Sequence, residues 1–416
     1  MKSVNNKVVL ALIGAGGRGS QVILSLKQCS ENVEVKYVCE VDAQRGGSVI
    51  QELSKLQSYA PERVADMRKV FDDKDVDAVV ITTPEHWHAL ATLWACEAGK
   101  DVYVEKNVCL SLEEGRKMIE IAQRNKRVIQ CGTQNRSGDY AFAARDYIAA
   151  GELGAIVTVK AYCMLPGTRE WIMKPDSAVP EGLDWDKWLG PAELVSYNVS
   201  RHKAWYDWWA YSGGAAMSGD ASHVIDLARM ALGDPALPQS IYCAGGRVIF
   251  KDKREIPDNQ TVAFDMGTYP ITLESSQYGN YMKKTPQEIR FSDRFPEWTT
   301  NATRIEIYGT KGFMCLGRHG GGWQVFGADM KILAEKTGYF PDEKHHANFI
   351  DCIRSRKTTN APIDQGVLSA NMINLANLSY RTGKKILGVD AENETIIGNE
   401  KAVELDKRIY REGYKL

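Results

Sequence analysis

The chain has 416 residues, 44% of them hydrophobic and 25% charged, with a formal net charge of -1. These are ordinary globular proportions, and the length predicts about two domains. The near-zero charge argues against a nucleic-acid partner, and no apolar stretch approaches the roughly 18 residues that span a bilayer. The first strand-like run starts at Lys7, leaving no room for a signal sequence, so we expect a cytoplasmic protein without a membrane partner. The nine cysteines form no CxxC pair and indicate reduced thiols.

The first predicted elements are a strand, a turn and a helix. Residues 7–13, KVVLALI, form an apolar, β-branched run typical of a strand buried in a parallel sheet. The stretch GAGGRGS (14–20) follows, and apolar residues at helical spacing predict a helix over 20–29. On such a turn glycine lets the backbone approach a pyrophosphate, and the helix N-terminus offers free N–H groups. The predicted pyrophosphate contacts are Gly14, Gly16, Gly17, Arg18 and Gly19.

A second predicted strand, over 34–42, ends in acidic residues. Glu40 lies 21 residues after Gly19, where a carboxylate accepts hydrogen bonds from both hydroxyls of an adenine ribose and repels a 2′-phosphate. The cofactor is therefore expected to be NAD rather than NADP. Asp42 is the alternative acid for this role. Arg45 nearby would instead favour NADP.

Strands and helices continue to alternate through the first third of the chain. The predicted strands cover 76–84, 101–106 and 127–134, and the predicted helices cover 88–99 and 111–125. This alternation is typical of a doubly wound parallel sheet. In that context the glycine cluster is expected to hold a pyrophosphate.

Three motifs stand where strands of this sheet end, at the edge where ligands bind: TTPEHWHA (82–89), VYVEKN (102–107) and GTQNRS (132–137). Together with GDASHVIDLARMALG (219–233) and the stretch HHANFIDCIRSRKTTNAPIDQG (345–366), they make the chain resemble the Gfo/Idh/MocA family of NAD(P)-dependent sugar and cyclitol oxidoreductases. The resemblance spans most of the chain. It depends on the ordered combination of motifs rather than on any one of them.

The pattern changes after about residue 135 to mixed elements. Alternating segments over 239–317 predict a large, mostly antiparallel sheet covered on one face. We expect an α/β protein, with a Rossmann NAD-binding domain over 1–134 and an α+β domain for substrate binding and oligomerisation over 135–416. The uncovered sheet face is expected to be apolar and to pack in a homo-oligomer, a dimer or tetramer.

The family resemblance implies roles at the reacting end of the site. Glu105 and Lys106 occupy the family's Glu-Lys-Pro signature, with Lys106 beside the nicotinamide and the substrate hydroxyl. Asn107 replaces the usual proline, and we expect a trans peptide bond there because a non-proline cis bond costs roughly 3 kcal/mol. Asp220 and His223 are three residues apart, where the family often has four, and share one helix face. We assign His223 as general base, Lys106 as hydroxyl-polarising partner or alternative base, and Asp220 as orienting carboxylate.

Further contacts are predicted from the same motifs. Additional cofactor contacts are Thr82, Thr83, Pro84, His88, Glu105, Lys106 and Gln134. The predicted substrate contacts are Lys106, Arg136, Arg201, Trp205, Asp220 and His223. The segment RHKAWYDWWAYSGG (201–214), with Trp171, Trp185 and Trp188 upstream, offers aromatic faces that suit a pyranose ring. His86 and His88 have no third ligand at a usual spacing, so no metal is expected.

The predicted activity is oxidation of a ring hydroxyl of a sugar or glycoside by hydride transfer to NAD, with C3 as the leading position. Three alternatives remain open. They are an inositol dehydrogenase, a glycoside hydrolase that retains NAD and acts by transient oxidation and elimination, and a non-catalytic dinucleotide-binding regulator. Intact Lys106 and His223 count against the regulator.

Overall fold

The computed structural model describes residues 7–165, 167, 173–383 and 386–416. The first domain is built on a six-stranded parallel sheet in the order β3-β2-β1-β4-β5-β6. Its strands are β1 (Val8–Ile13), β2 (Val33–Cys39), β3 (Glu62–Val64), β4 (Ala78–Ile81), β5 (Asp101–Val104) and β6 (Ile129–Cys131). Its helices are α1 (Gly17–Gln28), α2 (Gly47–Leu56), α3 (Met67–Asp72), α4 (His88–Glu97) and α5 (Leu112–Arg124). Within the described residues, no helix is both long and apolar enough to cross a membrane.

This sheet confirms the predicted doubly wound arrangement. β1, β4 and β5 are buried along almost their whole length, as their apolar composition predicts. Strand order reverses between β1 and β4, and this switch point opens a crevice at the carboxyl ends of the strands. β3 was not predicted, because it has three residues and exposes two of them.

The second domain carries a ten-stranded sheet in the order β14-β13-β12-β11-β7-β10-β9-β8-β15-β16. Its strands are β7 (Ile156–Met164), β8 (Ser240–Gly246), β9 (Asn259–Asp265), β10 (Pro270–Ser276), β11 (Arg304–Gly309), β12 (Phe313–Gly317), β13 (Trp323–Phe326), β14 (Ile332–Lys336), β15 (Leu387–Asp390) and β16 (Thr395–Ile397). Adjacent strands in this sheet pair antiparallel, except that β7 and β10 pair parallel with each other. This pairing confirms the prediction of a mostly antiparallel sheet. The remaining helices are α6 (Asp139–Ala149), α7 (Trp185–Leu189), α8 (Val199–Lys203), α9 (Ser222–Ala231), α10 (Gln287–Arg290), α11 (Asp342–Ser355), α12 (Ile363–Arg381) and α13 (Glu400–Asp406).

Helices α6, α9 and α12 pack on one face of this sheet and leave the other face open. The open face is not apolar, and that expectation was wrong. The guanidinium of Arg304 lies 3.9 Å from the centre of the Tyr162 ring, and Glu306 accepts hydrogen bonds from Arg304 and Tyr308, each at 2.8 Å. Strand alternation sends aliphatic residues such as Val159 inward, so the outward positions carry charged and aromatic side chains.

The chain returns to the first domain after the large sheet. Phe349 and Ile350 of α11 join the core that packs against β1 and α1. The backbone N–H of Cys131 donates to the carbonyl of Ala361, 2.9 Å away, so the segment before α12 extends the edge beyond β6. Helices late in the sequence therefore complete the first domain, and the boundary at 134/135 stays a prediction.

All seven histidines of the chain are buried. Burial lowers the pKa of His86 and His345 to about 3 and the pKa of His202 and His346 to about 4. The side chains of these four histidines are neutral in the folded protein and take up protons when the chain unfolds.

We therefore expect the free energy of unfolding to fall as the pH decreases below 6.5. The folded pKa values lie below the unfolded value, so the unfolded state binds more protons between pH 6.5 and about 4. Each such histidine adds a slope of about 1.4 kcal/mol per pH unit in this window. Denaturant titrations from pH 5 to pH 8 measure it. His346→Gln is expected to reduce the slope, and an unchanged slope in that variant would contradict the assignment.

Candidate active site

A cleft of about 540 Å³ opens at the switch point of the parallel sheet. Gly14, Gly16, Gly17 and Arg18 line it, as predicted for a pyrophosphate site. A Cβ added at Gly16 or Gly17 would meet nothing within 4 Å, so the turn forms an open cradle. Gly16 caps α1 without a side-chain hydrogen bond, which leaves the first N–H groups of this 12-residue helix available to an anion.

Two glycines in this turn are required by close packing. Gly14 has φ +92°, and a Cβ there would lie 2.9 Å from the backbone of Thr82. A Cβ on Gly19 would lie 2.2 Å from the carbonyl oxygen of Gly14. Gly19 thus brings α1 against β1 and β4, and we correct its predicted role from pyrophosphate contact to packing residue.

Glu40 lies at the carboxyl end of β2 and lines the cleft. Its carboxylate accepts hydrogen bonds from the backbone N–H groups of Ala15, at 2.8 Å, and Asp42, at 3.0 Å. These bonds fix the acid in the position expected of a ribose-binding carboxylate. The alternative acid, Asp42, forms an ion pair with Arg45 at 3.3 Å. Glu40 is therefore the better candidate of the two.

The loop after β4 contributes to the cleft as predicted. Thr82, Thr83 and Pro84 line the cleft. The Thr83 hydroxyl is buried and has no hydrogen-bond partner among the described residues, so a ligand group would satisfy it. His88 was predicted to contact the cofactor, but its ring nitrogens lie 2.8 Å and 2.9 Å from the carbonyl oxygens of Asn107 and Thr83. It joins two strand-end loops and supports the cleft from behind.

Glu105 and Gln134 were predicted to contact the cofactor, but neither lines the cleft, and both lie behind it. The buried Glu105 carboxylate accepts a hydrogen bond from Arg18 at 2.9 Å, and Gln134 approaches it at 3.4 Å. Burial raises the pKa of Glu105, but the charges of Arg18 and Lys106 outweigh burial and hold it below its ordinary value. Glu105 thus remains ionised and positions the Arg18 side chain at the cleft.

A second cavity, of about 310 Å³, adjoins this cleft. Its volume falls within the roughly 300–1,000 Å³ typical of small-molecule sites. Trp205 lines both cavities, and Lys106 lines the smaller one. Sequence reasoning did not select three further lining residues. They are Glu85, which stands within the TTPEHWHA motif, Tyr206 and Gln277.

Lys106 follows β5, and its Nζ donates a hydrogen bond to the Ser218 carbonyl at 3.0 Å. The peptide bond between Lys106 and Asn107 is cis, so the expectation of a trans bond was wrong. Asn107 is buried, and its carbonyl oxygen lies 2.8 Å from a ring nitrogen of His88. These contacts bring the lysine to the surface of the smaller cavity.

Asp220 lies in a π-helical turn, Met217–Ala221, that leads into α9. Its carboxylate pairs with Lys284 and lies 3.7 Å from Arg318 and 3.6 Å from His319. Burial raises the pKa of Asp220, but these three neighbours outweigh burial and hold it well below its ordinary value. Asp220 thus binds cations from the second domain, and we revise its predicted role of orienting His223.

His223 lies in the first turn of α9 and is 5% exposed. Burial, together with the charges of Arg318 and Lys106, holds its pKa well below its ordinary value. Its Nδ1 is buried without a hydrogen-bond partner among the described residues. The imidazole is therefore neutral and able to accept a proton.

Two predicted substrate contacts have structural partners instead. Arg136 is buried and pairs with Asp226 at 2.9 Å and Asp234 at 2.8 Å. Arg201 stacks over Trp208, with its guanidinium 4.0 Å from the ring centre. The buried ion pairs of Arg136 occupy its guanidinium, so we withdraw it as a substrate contact, whereas Arg201 stays a prediction.

The tryptophan-rich segment and the residues just upstream of it lie at the larger cleft, which we call the dinucleotide cleft. Trp185 and Trp188 stack at 4.6 Å, and Trp188 lines the cleft, while Trp171 lies outside the described residues. The upstream residues around Trp185 are tied to the loop after β2, because the backbone N–H of Asp184 donates to the carbonyl of Val41 at 2.9 Å. In the part of the chain that the structure describes, no group of three or more His, Cys, Asp or Glu is arranged to hold a metal.

Comparison with known proteins extends over most of the chain. Residues 8–133 match a family described as "Oxidoreductase family, NAD-binding Rossmann fold", and residues 160–245 and 309–416 match its "C-terminal alpha/beta domain". Inositol 2-dehydrogenase 3 of Saccharopolyspora erythraea is 28% identical over 200 residues, which cover 47% of this chain and 57% of that protein. Levoglucosan dehydrogenase of Pseudarthrobacter phenanthrenivorans is 28% identical over 171 residues, 41% of this chain and 36% of that protein. The matches thus span less than two thirds of the length of these relatives.

Solved structures show the same fold. A levoglucosan dehydrogenase in complex with NADH and levoglucosan has a TM-score of 0.65 at 18% identity, covering 92% of this chain and 100% of that chain. The family resemblance of the motifs is confirmed by the matches to both domains. The chain belongs to the Gfo/Idh/MocA oxidoreductase family, and its first domain is an NAD-binding Rossmann fold.

Proposed function

We propose that the protein is an NAD-dependent dehydrogenase that oxidises a ring hydroxyl of a sugar or glycoside. The observation that carries this proposal is the position of Lys106, which lines a small cavity joined to the dinucleotide cleft at Trp205. The relatives named for inositol and levoglucosan support a polyhydroxylated ring as substrate. The choice of C3 as the leading position rests on the family resemblance.

The proposed reaction needs a place for a hydride and a place for a proton. Bound NAD+ supplies the hydride acceptor. Lys106 presents its amine to the cavity, where it donates a hydrogen bond to the substrate hydroxyl and stabilises the oxygen as its proton leaves. His223 is neutral and takes that proton, with Lys106 as the alternative base. Asp220 holds Lys284 and Arg318 beside this pair.

One experiment separates this activity from its rivals. The purified protein is incubated with NAD+ and a panel of sugars, inositols and aryl glycosides, while NADH and released aglycone are both followed. NADH formation with a sugar or an inositol supports the dehydrogenase and identifies its substrate class. Aglycone release without net NADH would point to the hydrolase, and NAD binding with neither product would point to the regulator.

We expect Lys106→Ala and His223→Ala each to lower kcat by about 10²–10⁴ while leaving the Kd for NAD+ nearly unchanged. Both side chains serve the reacting hydroxyl, whereas Gly16, Gly17 and Glu40 line the cleft that holds the dinucleotide. Steady-state kinetics and calorimetric NAD+ titration measure the two effects. Lys331→Ala is the matched control, because the Lys331 side chain is 82% exposed.

The pH profile of kcat tests His223 separately. Protonated imidazole cannot accept the hydroxyl proton, so activity falls on the acidic side as His223 is protonated, and its lowered pKa places this fall below pH 6.5. His223→Ala is expected to remove that acidic limb from the residual activity. A near-normal kcat with an unchanged limb would transfer the role of base to Lys106.

Glu40 is expected to exclude NADP by repelling the 2′-phosphate. We expect Glu40→Ser to reduce the preference for NAD+ over NADP+, expressed as the ratio of the two affinities, by about tenfold, because the variant loses a charged hydrogen-bond acceptor. Affinity for NAD+ is expected to fall too, since the Ala15 N–H loses its bond to the carboxylate. Titrations of both dinucleotides measure this, with Glu40→Gln as the control that removes only the charge. Tighter NADP+ binding by the unchanged protein would refute the assignment.

We also propose that the protein forms a homo-oligomer, a dimer or tetramer, through the open face of the ten-stranded sheet. Aromatic rings line part of this face, where the centre of the Phe313 ring lies 5.3 Å from the ring centres of both Tyr308 and Phe326. Sedimentation at micromolar concentration is expected to give at least twice the chain mass of 46.4 kDa, and Phe313→Asp is expected to lower it. A mass near 46.4 kDa for the unchanged protein would exclude the oligomer.

A cytoplasmic location is proposed from the cysteines. All nine are free thiols, and eight of them are buried. A reducing compartment maintains such thiols without disulfide exchange.

A further inference from the structure

The last ten residues of the chain return to the dinucleotide cleft. Residues 407–416, the C-terminal strap, follow α13 and cross the first domain, and Gly413 and Tyr414 line the cleft. No motif drew attention to this segment, because its sequence, KRIYREGYKL, is polar and irregular.

The strap is anchored at specific points on both domains. The Tyr410 hydroxyl donates to the carboxylate of Glu114 in α5 at 2.8 Å. The Arg411 guanidinium donates to the Gly190 carbonyl at 2.5 Å and to the Asp186 carboxylate at 2.7 Å. These contacts, two of them partly buried hydrogen bonds and one a more exposed ion pair, hold Tyr414 at the cleft.

Tyr414 lies at the end of the cleft that receives the adenosine. Glu40, at the end of β2, marks the ribose position, and Asp66 and Arg68, which follow β3, line the cleft beyond it. Tyr414 lines the cleft together with Arg68 and Asp66. The Tyr414 ring also contacts Trp87 and Trp94, which follow β4, so it lies where the connections after β3 and β4 meet at the cleft.

Neighbouring rings fix the orientation of Tyr414. Its ring is stacked on Trp94 at 6.1 Å with an interplanar angle of 22°, and it meets the edge of Trp87 at 5.7 Å and 79°. The Arg411 guanidinium lies 5.0 Å from the ring centre. Tyr414 is half-buried, and both tryptophans line the cleft with it.

We propose that the C-terminal strap is part of the dinucleotide site, and that Tyr414 with Trp94 forms the wall against which the adenine ring lies. An aromatic surface of this kind binds a flat base favourably, because stacking removes both rings from water and aligns their faces. The proposal rests on the NAD-binding fold of the first domain and is independent of the sugar substrate.

The test compares two fragments of the dinucleotide, with and without the adenine ring, on the whole 416-residue chain. ADP-ribose contains the adenine ring, and nicotinamide mononucleotide lacks it. We expect Tyr414→Ala to weaken ADP-ribose and NAD+ binding about tenfold in calorimetric titrations, a loss of the size measured for single base–aromatic stacks, and to leave mononucleotide binding unchanged. Tyr414→Phe retains the ring and is expected to bind like the unchanged protein. Tyr339→Ala, at a side chain that is 60% exposed, is the matched control.

A second variant covers the case in which Tyr414→Ala does not fold. Arg411→Ala removes the anchor but leaves the tyrosine, and we expect it to accelerate NADH release in stopped-flow fluorescence. ADP-ribose affinity unchanged in Tyr414→Ala would overturn the proposal, and so would equal losses for ADP-ribose and the mononucleotide. A protein that is inactive on every sugar but binds ADP-ribose through Tyr414 would refute the dehydrogenase and leave the strap in the site.

Discussion

The chemistry of the site depends on two cations placed beside one buried histidine. Lys106 comes from the first domain and Arg318 from the second, and after burial they are the largest influences that hold the pKa of His223 below its ordinary value. A third positive charge in this desolvated position would be costly, so the imidazole remains neutral. Asp220 makes the arrangement stable, because it is the anion that compensates Arg318 and Lys284. In the proposed reaction, a neutral His223 would accept the hydroxyl proton while the cationic Lys106 stabilises the oxygen.

The fold brings these groups together from opposite domains. The parallel sheet delivers Lys106 at the carboxyl end of β5, while loops after β10 and β12 deliver Lys284 and Arg318. The π-helical turn before α9 lies between them, and Gly219 departs from helical geometry there with ψ -107°. Such a turn alters the direction of side chains that ordinary helical spacing would fix. Because Asp220 lies in this turn and His223 in the regular helix, their three-residue spacing does not have the geometry of a regular helix. Asp220 instead contacts the cations of the second domain.

The sequence was sufficient where signals were local, and insufficient where partners were distant. Apolar runs, the glycine turn and Glu40 are each recognisable within about 40 residues, and the structure places them as expected. Arg136 follows a strand end, which suggested a substrate contact, but its partners lie 90 and 98 residues away at Asp226 and Asp234. Lys284 and Arg318 belong to no motif, because only the pairing of distant strands brings them to Asp220. Long-range ion pairs of this kind decide which polar side chains remain available to a ligand.

The tryptophan-rich segment shows the limit of composition in a different way. Dense aromatic residues suit a sugar face, but they also pack a loop onto its domain, so composition alone does not decide between substrate contact and packing. The structure divides these residues between the two cavities, because Trp188 lines only the dinucleotide cleft, whereas Trp205 lines both that cleft and the smaller cavity beside Lys106. Contacts at the adenosine end are equally strong before and during the reaction, so they hold the cofactor without lowering the barrier. In the proposed dehydrogenase, rate enhancement would therefore come from the few groups around Lys106 and His223, and retention of the dinucleotide from the many around Glu40 and Trp188.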